Sequence, residues 1–195
     1  MRKVGRLGTN DRGIAAVEFA FVAPIMILMI CGFMEFAHLS SSRTTLEAAT
    51  MRAARAVAAT DCPSRREGIM RGIITSAMSN VPSANGGAVE IVVKSYSGNF
   101  SDVGEPEPFT DTNGNGKWDP GESYVDVNGN NQWDPDMGAV GSLGGAGQVV
   151  SYTARYEVAA LFGFISQRFS GSNSYQIEAS TVVRNEPVFR TTGCT

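Results

Sequence analysis

Gly13-Ile14-Ala15-Ala16-Val17-Glu18 leads straight into Phe19-Ala20-Phe21-Val22-Ala23-Pro24, and from Phe19 to Met34 no side chain is charged. With Phe36 and Ala37 the apolar run reaches about 20 residues, the length a helix needs to cross the hydrocarbon core of a bilayer. This run divides the chain. Ahead of it stand Arg2, Lys3, Arg6 and Arg12 against Asp11. Basic residues flanking a span stay on the cytoplasmic side, so residues 40–195 are expected on the other. Pro24 removes one backbone hydrogen bond and can bend the helix.

An ordinary secretory signal would be followed by a small-x-small cleavage site, and none follows this run. A cut ahead of the span, after Gly13, would make Ile14 the first residue and Glu18 the fifth. The segment Arg12-Gly13-Ile14-Ala15-Ala16-Val17-Glu18-Phe19-Ala20 and the later Glu35-Phe36 resemble the TadE family of pseudopilins, which serve the tight-adherence (Flp) pilus. Val183-Arg184-Asn185-Glu186-Pro187 resembles that family's C-terminal signature. The resemblance covers both ends of the chain, and the middle departs from it. It implies a leader, residues 1–13, removed by a prepilin peptidase between Gly13 and Ile14. It also implies a transmembrane helix over 14–39 in the inner membrane, an exported head over 40–195, and assembly with other pilins and the Tad secretion machinery.

An ionised carboxylate inside hydrocarbon costs a few kcal/mol unless it is paired. The resemblance implies that Glu18 pairs with the amine freed at Ile14 and so registers subunits. On the residues alone, the alternative is a Glu18 at the headgroup level, serving as a negative charge at a helix N-terminus. Glu35 fits either the outer interface or a partner helix. His38 is the only histidine and is read as an interfacial side chain.

Residues 43–60 contain no Gly or Pro and are rich in alanine, which favours continuing the helix out of the bilayer. Leu46, Ala49, Ala53, Ala56 and Val57 form its apolar stripe. Asp61-Cys62-Pro63 ends it, because proline restricts the residue before it. Ser64 with Glu67 has the spacing of a capping box for a second helix, with Ile69, Ile73 and Ala77, joined by Met70 and Ile74, as its buried face. Residues 88–96, 148–158 and 174–184 alternate apolar and polar side chains, the pattern of half-buried antiparallel strands. The expected fold is therefore α+β: a long helix packed on a small sheet of three to four strands. Leu161-Phe162-Gly163-Phe164-Ile165, between the last two strands, reads as a short helix. It serves either as core under the sheet or as an exposed contact for another pilin.

Residues 97–147 form a long insert that needs its own source of order. Residues 101–137 carry nine acids against Lys117 alone. Such a segment recruits cations and speaks against nucleic acid as a partner. Within it Asp111-Thr-Asn-Gly-Asn-Gly-Lys-Trp-Asp-Pro is repeated 15 residues later as Asp126-Val-Asn-Gly-Asn-Asn-Gln-Trp-Asp-Pro. In the first copy Asp111, Asn113, Asn115, Lys117, Asp119 and Glu122 fall at positions 1, 3, 5, 7, 9 and 12 of a 12-residue calcium loop, with Gly116 at the sharp turn. In the second copy Asp126, Asn128, Asn130, Gln132 and Asp134 keep the offsets, and Asn131 takes the turn. Met137 stands at position 12, so Asp136 or a carboxylate from the first loop has to substitute. Flanking prolines replace EF-hand helices, giving isolated loops like the dockerin-type calcium repeats. The bland alternative is that Asp, Asn and Gly simply make turns. Trp118 and Trp133 recur in register and are expected to pack on each other or on the head, the alternative being a surface anchor for a partner.

Cys31 lies inside the apolar run. Cys62 and Cys194 lie in the exported part, where an oxidising compartment would let them pair and tie the tail to the end of the first helix. No Cys/His pair, nucleophile elbow, phosphate loop or zinc spacing is present, so an enzyme is not expected. The leading expectation is a minor pilin with a calcium-ordered insert. The alternative is a membrane-anchored, calcium-dependent adhesin.

Overall fold

The computed structural model describes residues 11–60 and 63–186. The leader before Asp11, the Cys62 and Cys194 pair, Pro187, and the side chains of Pro63 and Ser64 lie outside the described part.

α1 (Asp11–Ala58) is one helix of 48 residues with Pro24 inside it, about 72 Å long at 1.5 Å per residue. Its first half contains an 18-residue window of mean hydropathy 2.5, none of which is buried against the protein. A helix apolar on all sides with no protein partner is suited to lipid. The second half is different. Ser42, Leu46, Ala49, Thr50, Ala53, Ala54 and Val57 are buried, a stripe at three-four spacing. Ala54, not Ala56, completes it, and Ala56 sits half-buried on its flank. The buried hydroxyls of Ser42 and Thr50 donate to the carbonyls of His38 and Leu46, so they cost little inside.

α2 (Pro63–Met78) packs along this half of α1. Its buried line is Arg66, Met70, Ile74 and Met78, whereas Ile69, Ile73 and Ala77 flank the core. All five expected residues therefore pack on the core, with the line through Met70 and Ile74 at its centre, and Arg66 and Met78 join it. Arg66 looks like a surface side chain in the sequence. It is buried because its guanidinium donates to the carbonyls of Thr60, Leu143 and Gly144. Glu67 reaches forward to Arg71 at 3.3 Å.

β1 (Val89–Tyr96), β2 (Ala139–Val140), β3 (Val149–Ala159) and β4 (Ser174–Arg184) form an antiparallel sheet in the order β2-β1-β3-β4. The register aligns Val89, Tyr156 and Ile177 in one row, Ile91, Ala154 and Ala179 in the next, and Val93, Tyr152 and Thr181 in a third. These rows face α1 and α2 and make the core with Leu46, Val57, Met70 and Ile74. On the other face Arg155 bridges Glu90 and Glu178 at 3.6 and 2.8 Å. The three long strands match expectation within a residue. β2 is a two-residue addition from the return limb of the insert. The α+β architecture is as expected.

The sheet runs alongside the emergent half of α1 in a fixed direction. At one end the Glu186 amide donates to the Ala58 carbonyl. At the other, His38 Nε2 lies 3.3 Å from the Ala159 carbonyl, and Glu35 accepts from the amides of Leu161 and Phe162. The lengths agree: Glu35 to Ala58 is about 35 Å of helix, and Val149 to Ala159 is about 33 Å of strand. The insert leaves the sheet after Tyr96, which pairs with Val149, so it sits at the end remote from the apolar half of α1.

Candidate functional site

The two repeats fold into two loops of the same geometry. In the first, Asp111 accepts from the amides of Gly114, Asn115 and Gly116. The side-chain oxygens of Asn113 and Asn115 accept from the amides two residues on, at Asn115 and Lys117. The side-chain amides of Asn113 and Asn115 both meet one oxygen of Asp119 at 2.7 Å. Glu122 closes the loop. It accepts from the amide and hydroxyl of Thr112, at position 2, and from the amide of Asp119, at position 9. Gly116 turns the chain with φ 74°, a conformation glycine adopts without strain.

The second loop repeats each element. Asp126 accepts from Gly129, Asn130 and Asn131. Asn128 and Asn130 converge on Asp134 at 2.7 and 2.6 Å. Gln132 stands at position 7 with its amide on Asn130. Asn131 takes φ 62° where Gly116 stands in the first loop, as asparagine tolerates.

The closing carboxylate of the second loop is Glu107. It accepts from the amides of Val127 and Asn128, at positions 2 and 3, and of Asp134 at position 9. It is fully buried. Asp136 is committed elsewhere, to Lys94 at 2.6 Å and the Tyr96 hydroxyl at 2.9 Å, where it clamps the insert to β1. Each half therefore supplies the glutamate that closes the other: Glu122, four residues before Asp126, closes the first loop, and Glu107, four residues before Asp111, closes the second. The repeated Glu-x-x-x-Asp spacing was present in the sequence. It was hidden because a position-12 ligand is sought after its loop, not before the preceding one.

The reciprocal arrangement extends to the packing. Trp118 and Trp133 stack with ring centroids 5.0 Å apart and planes at 11°. Trp118 donates to the Glu122 carbonyl and Trp133 to the Glu107 carbonyl. Phe109 and Tyr124 form an antiparallel bridge, fixed by Thr110 N–H to Ser123 O and Val125 N–H to Pro108 O, both 2.8 Å. Phe109 packs edge-on to Trp133, and Tyr124 edge-on to Trp118.

Electrostatically, the loops hold anions ready. The Gly116 amide, joined by those of Gly114 and Asn115, keeps the Asp111 carboxyl below its ordinary range. The Asp119 and Thr112 amides do the same for Glu122. Burial opposes ionisation of Asp136, but Lys94, the Gly138 amide and Tyr96 outweigh it and hold that carboxyl low as well. Tyr96 is pushed up to about 12 by burial and by Asp136. Among the described residues no three His, Cys, Asp or Glu side chains converge as a metal-binding group. A cation here would have to take asparagine and backbone oxygens too. The donor set fits that demand: carboxylates at positions 1 and 9, asparagines at 3 and 5, and a closing carboxylate (Glu122 in the first loop, Glu107 in the second) are hard oxygen ligands.

At the other end of the molecule, Gly13, Ile14 and Glu18 are exposed on the first turns of α1, and Cys31 is a half-buried free thiol. Glu35, for which two positions were open, faces its own head.

Residues 13–55 match the family model described as TadE-like protein. The match covers the apolar half of α1 and most of its emergent half, and stops short of α2, the sheet and the paired loops. It supports a relation to the Tad pilus and a membrane-anchored N-terminus. No curated protein and no solved structure matches the chain.

Proposed function

From a TadE-like α1 joined to a head that carries two loops at its span-distal end, we propose that this chain is a minor pilin, or pseudopilin, of a tight-adherence pilus. It is made as a precursor whose leader, residues 1–13, is removed by a prepilin peptidase between Gly13 and Ile14. The span then lies in the inner membrane with its N-terminus cytoplasmic. Glu18 pairs with the freed amine of its own or a neighbouring chain, which relieves the cost of a carboxylate in hydrocarbon and sets the register between subunits. The single observation that carries this reading is the family match over residues 13–55, which begins at the glycine of the proposed cut. Sequencing the N-terminus of protein purified from membranes tests it. The expected first residue is Ile14, and a Gly13→Leu variant should accumulate as uncleaved precursor. A start at Met1, or a variant processed like the parent, would remove the reading.

The insert's role in this proposal is to bind Ca²⁺ in two loops, the first through Asp111, Asn113, Asn115, the Lys117 carbonyl, Asp119 and Glu122. The second uses Asp126, Asn128, Asn130, the Gln132 carbonyl, Asp134 and Glu107. Calcium would neutralise a segment that otherwise repels itself. A second reading, a membrane-anchored calcium-dependent adhesin, draws support from the loops' place at the end of the sheet farthest from the span. The two readings part on whether deleting residues 97–147 abolishes pilus formation or only attachment by intact pili.

A further inference from the structure

We infer that the turn after β3 and the helix that follows it, α3 (Gly163–Ser170), form a second membrane contact: Leu161, Phe164 and Phe169 rest on the lipid surface beside the span. The inference rests on reading the apolar half of α1 as membrane-spanning.

The topology places this segment. The chain leaves β3 at Ala159, the end of the sheet that lies against His38, and re-enters it at Ser174, the register partner of Ala159. Everything between is an excursion beyond the sheet on the span side. It is pinned there. Glu35 accepts from the Leu161 amide at 3.2 Å and the Phe162 amide at 2.9 Å, one residue past Met34, where the uncharged run ends. Two charge-assisted hydrogen bonds from adjacent amides fix the height of the turn on α1.

The side chains then divide. Ser166 is fully buried and donates to the Gly163 carbonyl, and Phe162 and Ile165 are half-buried against the head. Leu161, Phe164 and Phe169 are 45%, 58% and 85% exposed. A short segment with this many uncovered large apolar groups marks a contact surface. Its height on α1 identifies the contact. Phe33 and Phe36, two residues before and one residue after the Glu35 anchor, are each 71% exposed. The patch is thus held at the height on α1 where the apolar, exposed run begins. Arg168 lies among its residues, and a guanidinium on a flexible stem suits the headgroup layer. Such a contact would stop the head from swivelling about a single helix.

The test uses the full chain reconstituted into phosphatidylethanolamine–phosphatidylglycerol vesicles. A photoreactive benzoylphenylalanine replaces one residue at a time: Phe169, Phe164, Phe21 within the span, and Val140 at the opposite end of the sheet. Crosslinked products are identified by mass spectrometry. Lipid adducts at 21, 164 and 169 with none at 140 are expected. Adducts at 21 but none at 164 or 169 would overturn the second contact while leaving the span intact. Adducts at 169 to a second copy of the chain instead of lipid would overturn it in favour of a subunit interface. Absence of a lipid adduct at 21 would overturn the spanning reading, and this inference with it.

Discussion

Glu107 is the residue on which the second loop turns. Three part-buried amides, those of Val127, Asn128 and Asp134, end on it, and leaving such donors unpaired costs up to about 1–3 kcal/mol each, less where water can reach them. If it is the closing calcium ligand, Glu107→Gln should remove one of two bound calcium ions in a titration. Asp136→Asn should leave both, because Asp136 already serves Lys94 and Tyr96. Loss of an ion in Asp136→Asn and not in Glu107→Gln would reverse the assignment. Acid should act on the first loop. Asp111 and Glu122 titrate below their ordinary values of 3.8 and 4.5 when folded. In that window the unfolded insert binds more protons than the folded one, so the stability these groups contribute is present above about 4.5 and falls with pH through the folded values. The near-ultraviolet circular dichroism of the Trp118–Trp133 stack should hold down to that pH and collapse below it. Loss of the signal in mild alkali instead would contradict the assignment.

Among the elements, β1 and the return limb of the insert depend on one close approach. A Cβ at Gly138 would lie 2.7 Å from the Tyr96 ring, and that ring cannot swing away while its hydroxyl holds Asp136. Gly138→Ala should therefore destabilise the head by about 1–3 kcal/mol, the usual cost of overpacking a filled site, read as a lower midpoint in denaturant. Gly145, with no contact nearer than 3.6 Å, is the control, and equal effects at both positions would show that the Tyr96 contact does not matter. α1 is a single element with two solvents. Its first half has no protein around it, and its second half is small-residue core under α2 and the sheet. The change falls at Glu35, which explains why a charged side chain stands at the end of an apolar run.

The whole molecule is an elongated arrangement with chemistry at both ends. The apolar half of α1 and α3 lie at one end, and the paired loops lie at the other. The loops are joined to the head by few contacts, chiefly Asp136 with β1, the β2 pairing, and Arg184 with the Gly98 carbonyl and the Phe100 ring. Order in the insert should then be separable from order in the sheet. Chelating calcium from the full chain should expose residues 100–140 to protease while the fragment containing β3 and β4 survives. Simultaneous loss of both, or protection unchanged by the chelator, would count against a calcium-ordered insert.

Period alone gave the apolar span, the long helix and the three main strands. An uninterrupted run of uncharged residues and strict alternation of apolar side chains each leave few conformations that bury what must be buried. The twofold repeat at 111 and 126 was equally legible, since its spacing is local. What needed the fold was every relation between distant residues. Arg66 reads as surface until the carbonyls of Leu143 and Gly144 arrive to satisfy it. Glu35 stays ambiguous until the turn at Leu161 and Phe162 brings two amides to its carboxylate. Glu107 joins the second loop only when the two halves of the insert fold across each other. Sequence spacing reports which side chains share a face of one element, but a hydrogen bond between elements depends on how they pack, and no local pattern records that.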